Sequence, residues 1–279
     1  MPITIVAAVA SVVRYHNHFI SRSIIRRNRL WLTGMADIGN IVSGKGEGRG
    51  EEPALIPAAT VVLVADIDAQ LQTLMLRRNS KLDFAGGNWV FPGGRIDAAD
   101  CEPGGELHDI AAARTAAIRE TAEEAGLDID TSRLTYFSHW VAPALLKKRF
   151  TTWFFYARVD AEQAANVRID GGEIHEYSWL PPAEILARAD RGEMAILPPT
   201  MVSLIEMANF DSVDALLSAT AKVEPFTFQP RLFMGEGEDG RYVFMYQGDA
   251  GYETVDPDVP GPRHRLAFVD GQAVYEKKL

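Results

Sequence analysis

The sequence has little cysteine, few long apolar runs and a deficit of positive charge. Cys101 is the only cysteine among 279 residues, so one chain can form neither an internal disulfide nor a thiolate metal cluster. No apolar run approaches the roughly 18 to 20 residues needed to span a bilayer, so no membrane partner is expected. The formal net charge of −10 argues against a nucleic-acid partner, because such proteins bind phosphates through Lys and Arg.

The remaining charge is unevenly distributed and suggests a boundary. Residues 1–50 carry a net charge of about +5 and the rest about −15, and the Gly-rich stretch 43–50 is typical of a linker. Residues 1–52 are therefore predicted to be a poorly ordered N-terminal extension, with an Arg-rich targeting segment as the alternative. A central domain is expected over 53–221 and a C-terminal β-rich extension over 222–279.

Apolar periodicity predicts a mixed α/β protein. Strands are expected at 59–65, 71–76, 88–91, 134–141, 151–159, 174–180, 242–246 and 264–269. Helices are expected at 107–125, 183–189, 199–208 and 212–221. Gly and Pro make 92–106 a predicted loop, and Asp66-Ile67-Asp68 is the predicted turn of the first hairpin.

The helix at 107–125 carries the residues that point to chemistry. Glu120, Glu123 and Glu124 stand at i, i+3 and i+4, so their carboxylates project from one face. Taken alone, this pattern is most often a solvated charge face. The context favours a site, because Arg119 can pair with Glu123 and Gly126 fits a left-handed helix cap. Clustered carboxylates are ligands that Mg²⁺ and Mn²⁺ prefer.

These residues resemble a known family. The segment 119–127, Arg-Glu-Thr-Ala-Glu-Glu-Ala-Gly-Leu, is similar to the second half of the Nudix box, with Thr121 where an apolar residue is usual. Phe91-Pro92-Gly93-Gly94 resembles the beginning of the same box. The chain is identified as a member of the Nudix hydrolases on this combination.

The first half of the box departs from the family pattern. Gly94 and Arg119 are 25 positions apart, where the usual box has fourteen, so eleven residues are inserted. The usual spacing counted back from Arg119 places Ala111 at the box's first glutamate. That glutamate is absent or displaced, and the acidic residues that could replace it are Asp97, Asp100, Glu102, Glu106 and Asp109.

An enlarged box is similar to that of the peroxisomal coenzyme A diphosphatases, and segments between 139 and 210 resemble that branch. The resemblance implies a mixed β-sheet sandwiched between α-helices, with C-terminal helical and strand additions. It implies a diphosphatase in which Mg²⁺ or Mn²⁺ on Glu120, Glu123 and Glu124 activates a water molecule. The substrate would be a nucleoside-diphosphate-linked small molecule, coenzyme A or an acyl derivative first, with ADP-ribose, NADH and sugar nucleotides as alternatives.

Further site residues are predicted around the box. Glu173 and Glu176 are candidates for the general base, with solvated strand-end charge as the alternative interpretation. The candidates for substrate binding are Arg77, Arg78, Gly93, Gly94 and Arg149. Lys147 and Lys148 precede Arg149, and the aromatic run 153–156 offers rings for stacking.

The sequence also bears on a competing function, on location and on assembly. A Nudix-fold sensor that binds a nucleotide without cleaving it is the competing function, motivated by the missing glutamate. The chain ends Lys277-Lys278-Leu279, reminiscent of a peroxisomal address but with Lys in place of a small residue, so a cytoplasmic location is expected. The sequence leaves a homodimer open.

Overall fold

A computed structural model of the chain describes residues 53–82, 85–144, 146, 148–235, 241–269 and 272–279. These residues form two compact units, 53–229 and 230–279. The predicted N-terminal extension, residues 1–52, lies outside the described residues. Among the helices that the structure describes, none is long and apolar enough to cross a membrane.

The first unit is built on a mixed sheet. Its strands are β1 Leu55–Ile67, β2 Gln70–Arg78, β3 Trp89–Val90, β4 Gly93–Arg95, β5 Leu134–Val141, β6 Arg149–Arg158, β7 Ile174–Leu180 and β8 Phe226–Phe228. Within the described residues the order is β3-β2-β1-β6-β5-β8, with β4 also pairing β1 and β7 pairing β2. The β1–β6 and β5–β8 pairs are parallel and the other pairs are antiparallel. The predicted fold class is therefore confirmed.

Five helices accompany the sheet in the described chain. They are α1 Ile110–Ala125, α2 Ala161–Ala165, α3 Pro182–Asp190, α4 Pro198–Met207 and α5 Val213–Thr220. Phe155 and Tyr156 alternate on β6, so their side chains lie on opposite faces. Phe155 belongs to the core beneath α1. Tyr156, on the other face, lies near α4, because the charge of Glu206 in α4 adds to burial in raising the pKa of Tyr156. Helices thus cover both faces of the sheet.

The close approach of α1 to the sheet comes from its alanine face. Ala113, Ala116 and Ala117 are fully buried in one cluster with Leu63 and Phe155. Small side chains let the helix backbone lie near the strands, and a larger residue here would cost about 1–3 kcal/mol by overpacking. Glu120 and Glu124 continue this stripe at three- and four-residue spacing, and Glu124 is itself buried, so the predicted separation of an alanine face from an opposite glutamate face is wrong for these two residues.

The first hairpin turns later than the sequence pattern indicates. Strand β1 continues to Ile67, which pairs with Gln70, so the turn consists of Asp68 and Ala69. Both residues have positive φ values, 51° and 57°, as a type I′ turn requires to match the twist of its strands. The predicted turn at residues 66–68 is wrong by two positions, because pairing with β2 prolongs the strand.

The predicted loop at 92–106 also contains regular structure. Gly93–Arg95 forms β4 against β1, and Ala98–Asp100 forms a 3₁₀ helix. Neither element has an apolar pattern, since β4 is mostly glycine and is held by its backbone partner. The elements α2, β8, β9 and β12 were also not predicted, each being short or lacking a periodic apolar pattern.

The second unit is an antiparallel sheet of β9 Arg231–Met234, β10 Tyr242–Met245, β11 Arg263–Val269 and β12 Gln272–Lys278. An ion pair stabilises its interior: Arg265 Nε donates to Asp249 Oδ2 at 2.7 Å, and both side chains are buried. Strand β8 pairs with β5 in the first unit, so residues 226–228 do not share the second sheet. The sequence-based extension over 222–279 stays a prediction.

Candidate active site

The end of α1 lies against the Gly93–Gly94 turn. Pairing of β4 with β1 places Gly93 opposite Thr60 and Gly94 opposite Ala59. The Gly93 N–H donates to Glu124 Oε2 at 3.0 Å. A Cβ atom on Gly94 would overlap the carboxylate of Glu120. Glycine is therefore needed at 94 to make room for the Glu120 carboxylate, and at 93 because a Cβ atom there would overlap the β1 backbone at Ala59 and Thr60.

Two of the box glutamates are held in an environment that disfavours their charge. Glu124 is only 5% exposed, and burial raises its pKa to about 8, with the charges of Glu120 and Glu173 adding to the effect and the Gly93 N–H and Arg78 opposing it. Burial also raises the pKa of Glu120, despite its hydrogen bond from Arg119. Carboxylates in such surroundings gain from a nearby cation.

Arg78 and Glu173 complete this cluster. Arg78 Nη1 lies 3.7 Å from Glu124 Oε1, and its Nη2 makes a close ion pair with Glu173. Glu173, directly before β7, is near enough to raise the pKa of both Glu120 and Glu124. The structure therefore brings together six of the predicted residues: Glu120, Glu124, Arg78, Glu173, Gly93 and Gly94.

Two buried polar atoms beside this cluster have no hydrogen-bond partner within the described structure, Arg78 Nε and Asn88 Oδ1. The two residues are neighbours across β2 and β3, since the Arg78 N–H donates to the Asn88 carbonyl at 3.0 Å. Burying a polar atom without a hydrogen-bond partner costs about 1–3 kcal/mol of stability. A ligand that forms a hydrogen bond to such an atom would recover this free energy. The sequence gives no signal for Asn88 other than its position before an aromatic strand.

Of the five acidic residues that could replace the first box glutamate, only Asp100 is buried. Asp100 is 4% exposed and accepts two hydrogen bonds from Arg119, Nε to Oδ1 at 3.0 Å and Nη2 to Oδ2 at 2.9 Å. Burial alone would raise the pKa of Asp100, but these bonds and the Asp97 N–H lower it. Asp97 is exposed and reaches only 4.0 Å from Arg119; Glu102, Glu106 and Asp109 are also exposed.

The other acidic candidates lie apart from the buried pair. Glu123 is exposed and meets Arg119 Nη1 at 3.3 Å, as the helix spacing indicates. Glu176 pairs with Arg77 at 3.1 Å, and both are about half exposed. Arg77 alternates with Arg78 along β2, so it faces away from the cluster. Of the two general-base candidates, only Glu173 is thus placed near Glu120 and Glu124.

The remaining predicted binding residues make contacts within the protein. Arg149 is buried, and it donates to the carbonyls of Ala142 and Pro53 at 3.3 Å, so its role in substrate binding stays a prediction. Lys147 lies outside the described residues. Trp153 stacks on His139 at 4.5 Å, which occupies one face of the ring offered for stacking.

The donor chemistry suits a hard divalent cation. Glu120 and Glu124 are mostly desolvated oxygen ligands that repel one another, and Arg78 provides one nearby positive charge. In the described part of the chain no three His, Cys, Asp or Glu side chains converge in a ready-made metal cluster, because Glu120 and Glu124 are turned towards Arg119, Arg78 and the Gly93 N–H.

Comparisons with known proteins establish the family of the chain. The NUDIX domain family model matches residues 55–199, more than half of the chain, so the chain belongs to the Nudix family. Membership identifies it as a pyrophosphohydrolase, and Nudix hydrolases generally use divalent metal ions such as Mg²⁺ or Mn²⁺.

Individual relatives are more distant. Nudix hydrolase 7 of Caenorhabditis elegans is 28% identical over 260 residues, covering 76% of this chain and 84% of that protein. A Nudix hydrolase structure from Alicyclobacillus acidocaldarius matches with a TM-score of 0.53 at 22% identity, covering 60% of this chain and 96% of its own. An Ap4A hydrolase of C. elegans matches at a TM-score of 0.40 and 20% identity, covering 56% and 96%. Structural likeness at this level of identity concerns the fold alone.

Proposed function

We propose that the protein is a metal-dependent diphosphatase that cleaves the diphosphate linkage of a nucleoside-diphosphate-linked small molecule. The observation that carries this proposal is the cluster of Glu120, Glu124 and Glu173 against the Gly93–Gly94 turn. Burial raises the pKa of both Glu120 and Glu124, and the charge of Glu173 adds to both effects. Arg78 contacts Glu124 and Glu173, and Arg119 contacts Glu120. A divalent cation would compensate the charge of these carboxylates, and Arg78 would compensate the charge of a phosphate.

Each residue has a distinct task in this proposal. Glu120 and Glu124 hold the metal, with Glu123 assisting from the exposed side of the helix. When bound, the metal neutralises diphosphate charge and lowers the pKa of a water molecule. Arg78 binds an outer phosphate oxygen through a guanidinium whose Nε has no partner within the described residues, and Glu173 accepts the proton of the attacking water.

The proposed substrate is coenzyme A or an acyl derivative. Support comes from the enlarged box and from the segments between 139 and 210 that resemble the coenzyme A diphosphatases. ADP-ribose, NADH and sugar nucleotides contain the same linkage and are the alternative substrates. The site described above recognises the diphosphate that all of them share, so the choice among them depends on the rest of the substrate.

Product analysis tests both levels of the proposal. Purified protein is incubated with Mg²⁺ or Mn²⁺ and separately with coenzyme A, acetyl coenzyme A, ADP-ribose, NADH and sugar nucleotides, and the products are separated by mass. Release of 4′-phosphopantetheine with 3′,5′-ADP is expected. Cleavage of another compound would replace the substrate and keep the reaction. Absence of metal-dependent cleavage across the panel would overturn the proposal in favour of a nucleotide sensor.

A further inference from the structure

The eleven-residue insertion of the box contains a feature that the family pattern does not supply. Asp100, in the 3₁₀ helix Ala98–Asp100, lies 19 positions before Arg119 and yet accepts two hydrogen bonds from its guanidinium, through Nε and Nη2. Both carboxylate oxygens accept a hydrogen bond from Arg119, and Oδ2 also accepts one from the Asp97 N–H at 2.8 Å. The orientation of the Asp100 carboxylate is therefore also fixed by a contact within its own loop.

The remaining N–H groups of the Arg119 guanidinium contact the box glutamates and β4. Nη1 donates to Glu120 Oε1 at 2.8 Å and to Glu123 Oε2 at 3.3 Å, and Nη2 also donates to the Arg95 carbonyl at 3.0 Å. These bonds account for all five N–H groups of an arginine. One side of the planar group is thus held by the insertion and by β4, and the other side meets the glutamates.

We infer that Asp100 is a positioning residue, which holds Arg119 so that Glu120 keeps the orientation needed to bind the metal. This inference rests on the proposed function, because it takes Glu120 as a metal ligand. With Asp100 in place, the charge of Arg119 is shared with a second carboxylate. Without it, Arg119 would turn its full charge on Glu120 and compete with the metal for that carboxylate.

The expected effect is on metal binding. Residues that orient metal ligands typically change affinity by about 10- to 100-fold when they are replaced. Asp100→Asn keeps the shape of the side chain and removes its charge, and Asp100→Glu keeps the charge one methylene further out. Glu102→Gln is the matched control, since it removes one negative charge from the same insertion at an exposed residue with no described contact to Arg119.

The test measures binding of Mn²⁺ to the full chain by the EPR signal of free Mn²⁺, without substrate. Asp100→Asn is expected to raise the dissociation constant about tenfold or more, Asp100→Glu to recover part of the loss, and Glu102→Gln to match the wild type. Circular dichroism and a thermal melt of the same samples establish that the variants are folded. A residue with a purely structural role would lower the melting temperature and leave the Mn²⁺ affinity of the folded protein unchanged.

Glu124→Gln separates this inference from the proposed function. If the wild type binds Mn²⁺, Glu124→Gln abolishes that binding and both Asp100 variants bind normally, the positioning role is refuted and the metal site stands. If the wild type binds no Mn²⁺, or Glu124→Gln binds it equally well, the metal-site assignment fails and the inference fails with it.

Discussion

Replacing Glu124 by Gln should stabilise the metal-free protein while it destroys the metal site. The folded wild type holds the Glu124 carboxyl 5% exposed with a pKa raised to about 8 by burial and by its acidic neighbours. At pH 7 the folded protein therefore keeps this group mostly protonated, whereas the unfolded chain ionises it. Folding must take up a proton, and a neutral Gln of the same shape removes that requirement.

The size and sign of the effect follow from linkage. A folded-state pKa raised from the ordinary 4.5 to about 8 means that stability is fully present below pH 4.5 and is lost as pH rises through 8. The cost amounts to roughly 1 kcal/mol at pH 5 and roughly 3 kcal/mol at pH 7. The variant should exceed the wild type by these amounts in unfolding free energy.

Urea denaturation with EDTA at pH 5 and pH 7 measures both values. Glu123→Gln is the control: it removes an exposed carboxylate from the same helix and should change stability by less than about 0.5 kcal/mol. Added Mn²⁺ should stabilise the wild type and leave Glu124→Gln unaffected, since only a ligand-binding folded state gains. A variant less stable than the wild type at pH 7 without metal, or a difference independent of pH, would refute the reasoning.

Three further predictions concern other contacts. Gly94→Ala should lower turnover by displacing Glu120, whose carboxylate occupies the place of the new methyl; an unchanged kcat would contradict this packing. Asp249→Asn leaves Arg265 buried without its charge partner and should cost about 3–5 kcal/mol, measured as lost hydrogen-exchange protection in the second unit. Hydrogen bonds from Arg265 lower the pKa of Asp249 despite its burial. Protonation of Asp249 therefore removes stability, so hydrogen-exchange protection in the second unit of the wild type should fall as pH drops below about 4. Arg149→Ala should lower the melting temperature, because it removes hydrogen bonds to the Ala142 and Pro53 carbonyls; it should also raise KM more than it lowers kcat, and an unchanged KM would contradict a role in substrate binding.

The sequence predicted the elements whose pattern is local. Helix α1 follows from its alanine period and the Gly126 cap, which the structure has at φ 66°, and the long strands follow from apolar alternation. Strand β4 and the 3₁₀ helix could not be predicted, because they are defined by partners distant in the chain. The same limit applies to the site: spacing predicted Glu120, Glu123 and Glu124 as a group, but the partner of Arg119 depends on how the insertion folds.

The insertion lengthens the loop between β4 and α1, but Gly93 in β4 still contacts Glu124 at the end of α1. The longer loop is therefore compatible with the geometry of the box. Extending the interval between Gly94 and Arg119 from fourteen to 25 positions raises the entropic cost of closing the loop by about 0.5 kcal/mol. A hydrogen bond to a charged group contributes about 1.5–3 kcal/mol, and the pair between Asp100 and Arg119 makes two of them in buried surroundings. One aspartate is therefore enough to offset the entropic cost of the longer loop, and in the inference above it takes the place of the missing glutamate by holding Arg119 beside Glu120.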